Sequence, residues 1–437
     1  MHGNGVRHVN CLGVGVGPAN LSLASLLHGH PEVGNVFMDR RTAFGWHDGQ
    51  QLPDARLQVS MLKDLVSLAD PTNPFSFLSY LHDRGRIYHF INAQFDAVPR
   101  QEFRDYLKWA SERNPNVVHG EEVRSIEFDG VFVVRTDQRT VTADNISVGV
   151  GLGPAVPAFA RPFLGATQFH ISDFVDRAVD LAGKRVCVVG GGQSGAEAFL
   201  DLINREPRDA PRRISWITRR RNYLPIDDSP FTNDFYMPDH SDYFAGLDPA
   251  ARARFTTEQA LSSDGISEST LRDIYQRVYV RRFVEGRHDQ IALFPHREVF
   301  DVQPGARDGW SLRMRHRDHP GVPGQLDVDV VVWATGFSPA TMSFLDPIAH
   351  RIDREGDEFR IDDQFAVRWD GPPGRDIFLH NAAMRQRGLP DRNLSLIAWR
   401  SRRIVDRLRG VRGDEQRPSF MEWAPKTGPV DDAVVVG

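Results

Sequence analysis

The chain has 437 residues, 41% of them hydrophobic and 25% charged, with a formal net charge of −5. These are ordinary globular values with room for two domains, and the mild acidity gives no reason to expect a nucleic acid or an anionic membrane as partner. No apolar run approaches the roughly 18 residues of a membrane span, the first residues lack the apolar core of a secretory signal, and a cytoplasmic location is expected.

In chain order, the first predicted element is a strand over Val9–Leu12. It leads into Gly13-Val-Gly15-Val-Gly17-Pro18-Ala-Asn20 and then the helical pattern Leu21–Leu27. Strand, glycine-rich turn and helix in that order form a dinucleotide-binding arrangement. Glycine lets the backbone turn tightly and approach a pyrophosphate, and a helix N-terminus offers N–H donors and partial positive charge. The next strand, Val36–Asp39, ends in an acid about twenty residues beyond the turn, where a carboxylate would meet an adenosine ribose hydroxyl. An unmodified ribose fits FAD or NAD. Further on, Asn145–Pro154 reads as a strand leading into a crossover.

A second strand, Arg185–Val189, leads into Gly190-Gly-Gly192-Gln193-Ser194-Gly195 and a helix over Ala196–Ile203. The strand after it, Arg213–Thr218, ends in Arg219, Arg220 and Arg221. Arginine in that position suits a 2′-phosphate through charge-assisted hydrogen bonds, which points to NADPH. Two such turns suggest two nucleotides side by side, the plan of a flavoenzyme that takes electrons from a nicotinamide. The predicted fold is α/β, with two Rossmann-like domains for FAD and NADPH, the second inserted in the first. Residues 1–170 and 326–437 are assigned to the FAD domain and 175–325 to the NADPH domain, with a helical substrate-site segment over about 240–285. A strand ending in Ala334-Thr-Gly336 marks the close of the insertion, and Asn393–Leu408 reads as a helix. The end, from Gly410 onward, is rich in Pro, Gly and Asp and is expected to fray.

Cys11 and Cys187 each lie inside a predicted buried strand, too far apart in sequence for a C-x-x-C redox pair, which excludes the disulfide-reductase branch of two-dinucleotide flavoproteins. The histidines show no metal-ligand spacing, and no metal is predicted. No nucleophile–base constellation is found either, so no acid or base residue is nominated as catalytic.

The motifs together resemble the microbial N-hydroxylating flavin monooxygenases that act on lysine or ornithine in siderophore biosynthesis. The resemblance runs over about residues 8–408. It is carried by Gly15–Leu23, Gly45-Trp46-His47, Leu57-Gln58-Val59, Leu62–Val66, Asp70–Ser76, Gly190–Gly195, Ser263–Ser267 and Asn393–Ser401. It implies that NADPH reduces FAD, that O2 forms a flavin C4a-hydroperoxide, and that a neutral primary amine takes the distal oxygen. The hard chemistry then belongs to the cofactor, and the protein binds the amine, orients it and keeps water out.

By motif, the resemblance implies that Gly13, Gly15 and Pro18 form the FAD turn, Asp39 holds the ribose, and Trp46, His47 and Gln58 lie against the flavin. Gly190, Gly192, Gln193 and Ser194 would hold NADPH, with Arg219 on the 2′-phosphate. Lys63 matches a lysine that binds the substrate carboxylate, Asn233 a substrate-binding asparagine, and Ser395 a serine near the substrate side chain. Ser262 stands where ornithine enzymes have a second asparagine. Each has a plain structural reading as well: Lys63 a surface lysine, Asn233 a turn residue after Ser229-Pro230, Ser395 a helix cap.

Two segments pull apart. Asp227–Asn233 looks like the ornithine branch, and Leu261–Ile266 like the lysine and diamine branch. Members of the family this chain resembles usually carry a histidine before the glycine that matches Gly388, where this chain has Arg387. A buried carboxylate needs a cation, and Lys63 supplies one, so an amino acid is favoured over a diamine and, through Ser262, lysine over ornithine. The alternatives are a diamine, ornithine or another primary amine under the same chemistry, a different class B flavin monooxygenase, and a non-catalytic nucleotide-binding protein. The class B alternative suffers because Phe163-Leu-Gly165 stands one residue too far from His170 for that pattern. The resemblance further implies a homo-oligomer, with a tetramer favoured, and only the amine and O2 as small-molecule partners.

Overall fold

The computed structural model describes residues 7–305, 308–413 and 420–424. Two large sheets organise it. The first runs in the order Val117–His119, Asn35–Asp39, Arg7–Val14, Thr140–Val148, Val131–Thr136, Val123–Asp129, with Ile377–Leu379 also paired to Thr140–Val148. Its nucleotide-binding half is parallel, and the Val123–Val148 meander is antiparallel. The second, parallel throughout, runs Ile291–Phe294, Arg213–Ile217, Arg185–Val189, Val330–Trp333, Gln168–His170. Strands such as Val330–Trp333 are buried along their whole length, as expected of parallel strands covered on both faces, and so read as unbroken apolar runs.

The expected boundaries of the two units shift in this topology. The strand before Ala334-Thr-Gly336, assigned to the first unit with 326–437, pairs instead with Arg185–Val189 in register Val331↔Cys187 and Val332↔Val188. Gln168–His170, assigned to the first unit with 1–170, joins the same sheet. The chain passes between the units where Leu152–Pro154 pairs antiparallel with Phe337–Pro339.

The 240–285 segment is helical as expected, but broken into Pro238–Gly246, Pro249–Glu258, Leu261–Asp264 and Glu268–Tyr279. Asp248 starts the second piece by accepting the Ala250 and Ala251 N–H groups at 2.9 Å. The helix expected from Asn393 begins at Ile397. The Asn393 side chain accepts the Ser395 N–H at 2.8 Å, and this local turn competes with helix over 393–396. The Ile397–Leu408 helix packs on Pro18–Leu27. Both cysteines are buried and free, and burial pushes the Cys11 thiol up to about 12. The tail beyond Arg412 lies largely outside the described residues.

Candidate active site

The first glycine turn closes tightly. Gly15 has φ +84°, and a Cβ there would stand 2.8 Å from the Gly149 carbonyl oxygen. Asn20, wholly buried, locks the turn: its amide donates to the carbonyls of Gly15 (2.8 Å), Val14 (3.1 Å) and Ser147 (3.2 Å) and accepts the Ser147 hydroxyl (2.7 Å). Gly17 caps the Pro18–Leu27 helix with no side-chain acceptor, leaving its first N–H groups to an anion. Asp39 accepts the Val16 N–H through Oδ2 and the Arg41 N–H through Oδ1, both at 2.8 Å. Each oxygen keeps a lone pair for a hydroxyl. A turn of this form suits an adenosine diphosphate group, with Gly13 packed on Phe37.

Beyond it lie Trp46 and His47, ring centroids 4.8 Å apart. His47 adopts φ 50° and shares a 3.2 Å contact with Gln50 Oε1. Although much of its surface is open, the protein crowding the ring, and next the Arg100 guanidinium, hold its pKa below the ordinary histidine value. Gln58 is exposed on the same segment.

The second turn repeats the geometry. Gly190 has φ +143°, and a Cβ on it would meet the Ala334 oxygen at 1.9 Å. The Gln193–Asn204 helix starts at Gly192 without a side-chain cap. Gln193 spans two helices, donating to Glu197 (3.0 Å) and accepting the Ser267 N–H (2.8 Å). Ser194 accepts from Gln50 at 3.3 Å. The three arginines separate by role. Arg220 folds back on the carbonyls of Gly191 (3.0 Å) and Asp264 (2.7 Å). Arg221 pairs with Asp318 at 3.1 and 3.2 Å. Arg219 is exposed and, among the described residues, has no side-chain partner.

The histidines, scattered in sequence, do meet at one place. Ligand atoms of His296, His316 and Asp318 lie within 4.8 Å of one another. Asp318 there is already engaged by Arg221 and, at 3.0 Å, by His296.

The nominated substrate residues converge in part. Lys63 Nζ donates to Ser395 Oγ at 3.2 Å and stands 5.7 Å from the centre of the Tyr236 ring. The Tyr236 hydroxyl donates to the Ser262 carbonyl at 2.6 Å. Lys63 is half-buried, forms no ion pair among the described residues, and burial lowers its pKa. The Ser262 hydroxyl itself is spent on the Gln259 carbonyl (2.7 Å). Asn233 is exposed, with its amide on the Asp228 carbonyl (2.9 Å).

Two contributors were not nominated from the sequence. Tyr236 forms one wall of the cluster; its signal is an aromatic three residues after Asn233. Asp64 builds the loop that carries Lys63, accepting the N–H groups of Val66, Ser67 and Phe77 at 2.7–2.9 Å. Arg387, the departure from relatives, is buried, bonds Asp242 at 3.0 Å and covers the Phe365 ring at 4.5 Å. Its carbonyl accepts the Ser241 hydroxyl, so it braces the Pro238–Gly246 helix.

Known proteins resemble this chain over nearly its whole length. The family model described as L-lysine 6-monooxygenase/L-ornithine 5-monooxygenase matches residues 7–339. The L-lysine N6-monooxygenase of Escherichia coli is 37% identical over 96% of this chain and 100% of its own length. Among solved structures, the FAD-bound cadaverine monooxygenase of Erwinia amylovora superposes with a TM-score of 0.90 at 26% identity, covering 98% of this chain and 100% of that one. The ornithine N-hydroxylase of Kutzneria sp. 744, solved with reduced FAD, NADP+ and L-ornithine, gives 0.84 at 30%, covering 92% and 99%. The chain belongs to the L-lysine 6-monooxygenase/L-ornithine 5-monooxygenase family.

Proposed function

We propose that this protein hydroxylates the side-chain nitrogen of L-lysine, using FAD, NADPH and O2, and so supplies a hydroxylamine for hydroxamate siderophore biosynthesis. The observation that carries the substrate is Lys63: a half-buried ammonium with a hydroxyl beside it, an aromatic ring near it and no carboxylate partner among the described residues. A buried cation without a counter-ion is unfavourable, and the carboxylate of an amino acid substrate satisfies it.

The first turn and Asp39 would hold the adenosine diphosphate half of FAD, with Trp46, His47 and Gln58 toward the flavin. Gly190, Gly192, Ser194 and Arg219 would hold NADPH, while Gln193 shapes the turn from behind. Bound FAD, reduced by NADPH, supplies the activated oxygen that passes to the amine. The residues of this chain do the rest. Lys63 anchors the carboxylate with Ser395 sharing its donors, and Tyr236 flanks the aliphatic chain. The reacting amine, with an ordinary pKa near 10.4, must lose its proton, which an enclosed site favours by disfavouring the charged form.

A second reading, the same reaction on a diamine, draws support from the likeness to the cadaverine enzyme. A diamine gives Lys63 no partner and is repelled by it. The test is hydroxylamine formation by the FAD-loaded protein with lysine, ornithine, cadaverine, putrescine and histamine in parallel. Lysine should lead. A diamine turned over best, and equally well by Lys63→Ala, would overturn the lysine reading.

A further inference from the structure

Arg100 opens the Arg100–Arg113 helix of the first unit. A cation there opposes the helix dipole, so the position breaks a local rule without a local gain. Its guanidinium turns instead toward the second unit. One terminal nitrogen donates to Glu197 Oε2 at 2.8 Å and to the Gln50 carbonyl at 3.1 Å; the other donates to Glu197 Oε1 at 2.7 Å and to the Arg56 carbonyl at 3.4 Å. The pair is nearly closed to solvent, with side-chain exposures of 13% and 8%. Glu197 lies one turn into the Gln193–Asn204 helix and also takes the Gln193 amide at 3.0 Å, and Gln193 in turn takes the Ser267 N–H. A parallel bond, Gln50 to Ser194 at 3.3 Å, crosses the same seam.

A buried, two-pronged ion pair with every oxygen and terminal nitrogen engaged has one favourable geometry, and a shift of either unit breaks several of its bonds together. It joins the 47–58 segment, which carries His47 and Gln58, to the turn that carries Ser194. We infer that the Arg100–Glu197 pair is a positioning device that registers the second glycine turn against the 47–58 segment and thereby sets the nicotinamide–flavin distance. The inference rests on the proposed use of the two turns for NADPH and FAD. Hydride transfer needs close approach, and a misplacement of about 1 Å lowers such a rate on the order of a hundredfold.

The test uses Arg100→Gln, Glu197→Gln and the conservative Arg100→Lys. FAD content, reduction by dithionite, anaerobic reduction by NADPH, and hydrogen exchange over residues 193–204 are measured for each. FAD content and dithionite reduction should match the parent. Reduction by NADPH, per bound flavin, should slow about ten- to a hundredfold in the two Gln variants, with Arg100→Lys between, because it keeps the charge but not the fork. Exchange over 193–204 should rise. An unchanged NADPH rate per bound flavin overturns the inference, and so does a slowed rate that merely tracks lost FAD. A parent protein that accepts no electrons from NADPH sinks the proposed function instead. The exchange measurement needs no cofactor and then decides alone, an unchanged pattern overturning the registering role. Should Arg100→Gln fail to fold, the near-isosteric Glu197→Gln and Arg100→Lys carry the comparison.

Discussion

The Lys63 ammonium reaches the Ser395 hydroxyl at 3.2 Å across 332 positions of sequence. Two loops make the contact. One is shaped by Asp64 and tied to the Pro18–Leu27 helix where the Ser22 hydroxyl donates to the Leu65 carbonyl at 2.5 Å. The other is the Asn393 turn that precedes the Ile397–Leu408 helix. Because those two helices pack together, the first glycine turn and the proposed substrate anchor stand on one rigid base.

Replacing Lys63 with Ala should raise the KM for lysine by about a hundredfold or more, since removing one partner of a buried charge pair costs about 3–5 kcal/mol. NADPH oxidation should persist but lose its coupling to product. Ser395→Ala should have the smaller effect of one hydrogen bond to a charged group, about 1.5–3 kcal/mol. Steady-state kinetics with product and peroxide measured side by side checks both, and a Lys63→Ala enzyme with the parent's lysine KM would remove the anchor.

The two glycine turns were legible because everything they need is local: a strand, glycines where φ must be positive at Gly15 and Gly190, and a helix. The place of Asp39, at the end of the second strand and bonded to the turn through the Val16 N–H, was visible from its spacing alone. The cluster of Lys63, Ser395 and Tyr236 was legible only where the family resemblance named its members. Tyr236 and Arg100 escaped because each acts on a partner far away in sequence, while Asp64 acts on its near neighbours Val66, Ser67 and Phe77 and escaped because the sequence alone does not tell a loop-shaping carboxylate from a solvated one. Gln193 was nominated for the nucleotide, yet its amide is committed to Glu197 and Ser267. The units also traded strands at Gln168–His170 and Val330–Trp333, because an apolar strand does not announce which sheet it will join.

Tyr236 should tune chain length. Tyr236→Phe leaves the buried Ser262 carbonyl without its 2.6 Å donor, a loss of about 1–3 kcal/mol in local order, while keeping the ring near Lys63. Tyr236→Ala removes the wall as well. The ratio of kcat/KM for lysine to that for ornithine should fall in the order parent, Phe, Ala. A ratio constant across all three variants would place Tyr236 away from the substrate.

Cofactor choice should rest on Arg219 and not on Arg221. Arg219→Ala removes a charge-assisted contact worth about 1.5–3 kcal/mol, so the KM for NADPH should rise about ten- to a hundredfold while that for NADH stays near the parent's. Arg221, exposed and paired with Asp318, should tolerate Ala with little change in either. Equal effects on both nucleotides from Arg219→Ala would mean that it does not read the 2′-phosphate.

Acid should weaken the fold through buried histidines. His240 lies among Phe235, Phe244, Phe255 and Trp423, and burial pushes its pKa down to about 4. His380, beside Ser147, is held well below the ordinary value by burial and then by the Arg400 guanidinium. For a base whose folded pKa is depressed, the unfolded chain takes up the proton first as pH falls through about 6.5. Stability from these two groups is therefore whole above that pH and is lost below it, down to about pH 4 for His240, at about 1.4 kcal/mol per pH unit per histidine. Urea unfolding midpoints between pH 7.5 and 5 should show that decline, and His240→Gln should flatten it by about one histidine's share. An unaltered slope in His240→Gln would mean that His240 already carries its proton in the folded protein.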